Sequence, residues 1–197
     1  MSEAPVRVAV VVGSVREGRF APTVASWFTE EAGRHGGFEV DVVDVADLAL
    51  PLVMPGYGST PAPEVAEEVA NLRARLTAAD AFVVITPEYN HSYPASLKNV
   101  VDWFMAEWQA KPVAFVSYGG ISGGLRAVEH LRQVFAELHA VTIRETVSFH
   151  GAHGCFDENG SPKDASATAV AAKALLDQLE WWARSLAQAR AARPYPA

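Results

Sequence analysis

The feature that most limits what this chain folds into is an alternation. Short β-branched runs lie at Val6–Val12, Phe38–Val43, Ala81–Thr86, Val113–Ser117 and Val141–Val147, with amphipathic stripes between them. Three of the runs, VAVVV, AFVVI and VAFV, are apolar at consecutive positions. A strand without a polar face belongs in a parallel sheet covered by helices on both sides. The stripes have helical spacing: Val65, Val69, Leu72 and Leu76; Leu97, Val101, Phe104 and Trp108; Leu125, Val128, Leu131, Val134 and Leu138. A last helix runs from about Ala165 to Arg190 and carries Leu175, Leu179, Trp182 and Leu186. Pro22 and Pro94 fall where a first helical turn begins, and Gly36-Gly37 is a C-terminal stop. The order predicts a doubly wound α/β domain with right-handed crossovers, spanning residues 1–197. Five strands favour the sheet order 2-1-3-4-5, with a ligand site at the carboxyl ends beside the switch point between strands 1 and 3.

The bulk numbers narrow the partners. A chain of 197 residues makes one domain that buries roughly 70% of its unfolded surface. A formal net charge of −7 argues against general nucleic-acid or anionic-membrane binding. The one cysteine, Cys155, has no partner for an internal disulfide. The first apolar run is broken by Gly13, Ser14 and Arg16, too soon for a signal peptide or a membrane span. The expected location is the cytoplasm.

Three loops follow the central strands. GSVREGRFAP, Gly13 to Pro22, offers Ser14, Arg16 and Arg19 just before a helix, where free N–H groups and a partial positive charge receive phosphate. Its glycine spacing is not G-x-G-x-x-G, and no Lys-Ser/Thr follows as in a P-loop. PEYNHSYP, Pro87 to Pro94, sets Tyr89, Asn90, His91 and Tyr93 between two prolines, with backbone groups expected to stay free for the edge of a planar heterocycle. SYGGISGG, Ser117 to Gly124, has four glycines and allows close backbone approach to a ligand.

These three motifs, GSVREGR, PEYNHSYPASLKNVVDW and SYGGISGG, resemble those of the NAD(P)H-dependent FMN reductases of the flavodoxin-like superfamily. The second motif is the most specific. The resemblance implies a three-layer flavodoxin-like sandwich that binds FMN non-covalently and takes NADPH or NADH as co-substrate. It assigns the FMN phosphate to Ser14, Arg16 and Arg19, with N–H donors from the helix start at Phe20, Ala21, Pro22 and Thr23. Many members place serine where this chain has Arg19. Pro87, Glu88, Tyr89 and Asn90 are to line the ribityl chain and one flavin edge, and Ser117, Tyr118, Gly119 and Gly120 the other side. The flavin carries the chemistry, so no catalytic side chain is required. His91 and Tyr118 are the nearest substrate contacts, and His91 is a candidate proton donor. The implied reaction passes hydride from NAD(P)H through FMN to a small-molecule acceptor (a flavin, quinone, azo compound or metal oxyanion) by ping-pong kinetics. A homodimer or homotetramer is expected. A flavodoxin-type electron carrier without NAD(P)H turnover is the alternative.

Other segments have plainer readings. LALPLVMPGYGSTPAP, Leu48 to Pro63, exposes Leu50, Leu52, Val53, Met54 and Tyr57 to the flavin or a second subunit, or folds over its own core. Lys98, Asp102 and Trp103 lie off the buried stripe of their helix. His150, His153 and Cys155 are too few for a soft-metal site, and no metal is expected. Trp181-Trp182 reads as core plus interface. No G-x-S-x-G elbow supports a serine hydrolase.

Overall fold

The computed structural model describes residues 4–56 and 58–196. Tyr57 lies outside the described residues. Five parallel strands, β1 (Val6–Val12), β2 (Phe38–Asp44), β3 (Ala81–Pro87), β4 (Pro112–Gly119) and β5 (Val141–His150), form one sheet in the order β2-β1-β3-β4-β5. The helices are α1 (Ala21–His35), α2 (Pro63–Ala78), α3 (Ala95–Trp103), α4 (Leu125–Glu137), the short α5 (Ala152–Cys155) and α6 (Ala165–Ala192).

The apolar runs split their residues between two cores, as a strand covered on both faces must. Val8, Val10 and Val12 of β1 join Val83 and Ile85 of β3 against α1 and α6. Ala9 and Val11 join Phe82 and Val84 against α2, α3 and α4. The edge strand β2 is largely half-exposed or exposed, which explains its weaker apolar signal.

The helix boundaries follow local chemistry. Gly36 ends α1 with a φ of 78°, the left-handed geometry that glycine adopts at least cost. The α3 stripe was expected to run on to Trp108, but the helix stops at Trp103. Phe104 and Trp108 are buried all the same, because Trp108 Nε1 donates to the carbonyls of Phe104 (2.9 Å) and Val101 (3.3 Å) and so covers the helix end. On α4 the buried positions are Ala127, Val128, Leu131 and Phe135, so Phe135 takes the place expected of Val134. Leu125 of that stripe is exposed.

Candidate active site

The carboxyl ends of β1, β3 and β4 open together onto a cavity of about 500 Å³. The size suits a nucleotide-like ligand. Its walls come from Ser14 and Arg16–Phe20 after β1, Pro87–Tyr89 at the end of β3, Tyr118–Gly120 at the end of β4, and Gly151–His153 at the start of α5.

Part of the lining gathers groups that can meet an oxyanion. α1 starts after Phe20 with no side-chain cap, so its first-turn N–H groups have no partner from that source. Pro22 lies within this turn but has no N–H to give. Ser14 is buried, and its Oγ lies 3.0 Å from the Tyr89 hydroxyl. Arg16 is exposed, with its guanidinium 5.9 Å from the Tyr89 ring centre. It makes no ion pair among the described residues.

Arg19 is held differently. Its NH1 and NH2 each donate at 2.6 Å to the two oxygens of Asp44, and NH1 also donates to the Ser14 carbonyl at 2.8 Å. Asp44 is the last residue of β2, and its carboxylate also accepts from Ala46 N–H. The pair therefore ties the end of β2 to the loop after β1. The Asp44 hydrogen bond raises the Arg19 pKa against the opposing effect of burial. Burial works to raise the Asp44 pKa, and its bonds to Arg19 and Ala46 overcome this and lower it.

Tyr118 carries the sharpest local signal. Its hydroxyl is fully buried and has no hydrogen-bond partner among the described residues. Burial pushes its pKa up, against the neighbouring Ser14 hydroxyl, so the phenol stays protonated. Its ring packs edge-on against Phe20. The residue lines the cavity, but its hydroxyl offers no surface to it and lies beside the Ser14 hydroxyl.

The loop after β3 departs from expectation. Its Tyr89 and Ser92 backbones are not free: each N–H donates to the other's carbonyl, at 2.8 and 3.0 Å. They close a tight turn in which Asn90 and His91 both have positive φ, the pattern of a type I′ turn. That turn carries Asn90 and His91 off the cavity lining, where both are exposed. Ser117 and Ala21 are also outside the lining, each fully buried. The Ser117 hydroxyl instead donates to the Gly123 carbonyl at 2.9 Å and fixes the glycine loop. Glu88 lines the cavity and is held by the Ser122 hydroxyl and by Arg126 NH1.

Sequence reasoning missed the wall after β5. Gly151, Ala152 and His153 line the cavity, and the His153 ring packs 4.8 Å from Phe20. The only hint was FHGAHGC, weighed as a metal site and set aside, and not considered as a wall. Among the described residues no cluster of three or more His, Cys, Asp or Glu is placed to hold a metal. Nearby, Trp103 Nε1 donates to Pro51 O and Asn99 to Leu50 O, pinning the loop after β2, while Lys98 pairs with Asp102 on the surface.

The model of the family described as NADPH-dependent FMN reductase matches residues 6–154. The chain belongs to this family. It is an oxidoreductase of the flavoprotein class, with FMN and NADPH as the groups for which the family is named. An NAD(P)H-dependent FMN reductase of Schizosaccharomyces pombe is 38% identical over 122 residues, and the match spans 60% of each chain. A quinone reductase of Pseudomonas putida is 31% identical over 186 residues, covering 90% of this chain and 94% of its own. The solved structure of FerB, a flavoenzyme NAD(P)H:(acceptor) oxidoreductase from Paracoccus denitrificans, superposes with a TM-score of 0.73 at 26% identity, over 91% of this chain and 98% of that one. No helix among the described residues is long and apolar enough to cross a membrane.

Proposed function

We propose that the reductase holds FMN in this cavity and passes reducing equivalents from NAD(P)H to a quinone. The observation that carries the reading is the cavity of about 500 Å³ at the carboxyl ends of the strands, where Ser14 and Arg16 line the wall beside an uncapped helix start. That grouping suits a ligand that carries a phosphate.

Ser14, Arg16 and the first turn of α1 hold the phosphate in this reading. Arg19 braces the loop through Asp44 rather than meeting the phosphate. Tyr118 contributes to the wall, with its ring against Phe20. Pro87, Glu88 and Tyr89 form one wall, and Gly119 and Gly120 admit close approach on the other. Bound FMN supplies the hydride acceptance and release. The protein's part is to bind, orient and leave one side open.

Nicotinamide and acceptor use that open side in turn, which predicts ping-pong kinetics. Quinone is favoured as acceptor because the relative matched over 90% of this chain is a quinone reductase. Pairing of copies of this single-domain chain would cover the exposed Leu52, Val53, Met54 and Met105. A cytoplasmic location fits the single cysteine and the use of NAD(P)H. Steady-state rates with NADPH and a soluble benzoquinone test the reading. Parallel double-reciprocal lines are expected, and absence of quinone reduction at any concentration would refute it.

A further inference from the structure

The turn beside the cavity carries a histidine at positive φ that the FMN site does not use. In the turn from Tyr89 to Ser92, Asn90 has φ 49° and His91 φ 74°. Asparagine and histidine both enter the left-handed region more readily than most side chains, yet glycine is the commoner choice at the second position. A side chain kept where glycine is favoured singles out His91.

The surroundings indicate what the side chain meets. The His91 ring is exposed and its centre lies 6.1 Å from that of His130 on α4. Ser92 Oγ lies 3.0 Å from His130 Nδ1 and fixes that ring. Arg126, one helical turn before His130 on the same face of α4, bonds Glu88 through NH1 at 3.1 Å and stays 45% exposed. Two imidazoles thus stand side by side between the turn and α4, with a guanidinium one helical turn before the second. Neither histidine lines the cavity, so neither stands at the reacting atoms.

We propose that His91 and His130, with Arg126 beside them, bind a phosphate of the dinucleotide co-substrate while its nicotinamide enters the cavity. The inference rests on the reading of the chain as an NAD(P)H-dependent reductase. An unsubstituted quinone offers no anionic group to such a cluster, whereas the dinucleotide offers a diphosphate and, in NADPH, a 2′-phosphate.

The test uses the FMN-loaded protein and the non-reducing ligands NADP⁺ and NAD⁺, titrated into the wild type, His91→Gly and His130→Gln. Melting temperature and FMN affinity are measured alongside. His91→Gly should melt at or above the wild-type temperature, keep its FMN affinity within about twofold, and bind NADP⁺ about tenfold more weakly. His130→Gln should weaken NADP⁺ binding in the same direction. Loss confined to NADP⁺ assigns the 2′-phosphate, and equal loss for NAD⁺ assigns the diphosphate. Unchanged binding of both dinucleotides in both variants overturns the inference. NADPH bleaching of the wild-type flavin is the control: if it fails, the reductase reading falls and this site with it. If it succeeds while dinucleotide binding is unchanged in the variants, only this site falls.

Discussion

Arg16→Ala and Arg19→Ala should fail in different ways, although both arginines stand in one loop of eight residues, Gly13 to Phe20. Arg16 is exposed and makes no ion pair among the described residues, so its charge is free for a phosphate. Removing it takes away a charge-assisted contact of about 1.5–3 kcal/mol, which weakens FMN binding roughly 10- to 150-fold. Riboflavin has no phosphate and should bind that variant as it binds the wild type. Arg19→Ala instead strips Asp44 of both guanidinium bonds. Breaking a fully buried pair costs about 3–5 kcal/mol. Here the side chains are 18% and 21% exposed, and solvent screening reduces the loss. An estimate of about 2 kcal/mol follows, or about 4–8 °C in Tm for a domain of this size. The assays are flavin fluorescence titrations with FMN and riboflavin, and thermal melts of both apo proteins. If Arg19→Ala lost more FMN affinity than Arg16→Ala and melted like the wild type, the division of labour between the two arginines would be refuted.

Three further outcomes follow from the same geometry. Tyr118→Phe removes a buried hydroxyl that offers no surface to the cavity, so the apo protein should be as stable as the wild type or more so, and FMN affinity should stay within about twofold; a roughly tenfold loss of FMN affinity would mean that the hydroxyl turns into the cavity. Gly124 has φ 87°, and a Cβ there would lie 2.7 Å from Ser117 Cβ, so Gly124→Ala should cost about 3 kcal/mol in a urea titration; a cost near zero would contradict the packing of the glycine loop. At the far end of the sheet, burial chiefly, with Arg190 adding to it, lowers the Lys111 pKa from 10.5 to about 8. The unfolded chain then binds more protons than the native one between those values, so stability should rise as pH climbs from about 8 towards 10.5. Lys111→Met should flatten that rise, and an equal slope in both proteins would count against it.

Much of this fold is legible in the sequence because two-sided burial writes long apolar runs. VAVVV and AFVVI read as strands without a competing pattern, and the strand–helix alternation leaves few topologies. The helix boundaries were harder to read. Trp108 continues the α3 stripe on paper, yet it reaches the core from a turn by bonding back to carbonyls at the helix end. The site follows the same division. Position after a strand brought Ser14, Pro87 and Gly119 to the cavity, since the sheet dictates where those residues emerge. Arg19 looked like a second phosphate ligand because its partner, Asp44, lies 25 residues away on another strand. Asn90 and His91 looked like lining because spacing alone does not reveal a type I′ turn without glycine. Gly151–His153 gave only a weak hint, because the partner of the His153 ring, Phe20, lies far away in the sequence.

The measurement that bears most directly on the account is the visible absorption spectrum of the purified protein, incubated with FMN, freed of excess flavin, and recorded without oxygen before and after addition of NADPH. The account predicts protein-bound flavin bands that bleach on NADPH and return when a benzoquinone is added. Bands that persist with NADPH would contradict the reductase reading and leave an electron carrier. No retained flavin at all would contradict the assignment of the cavity.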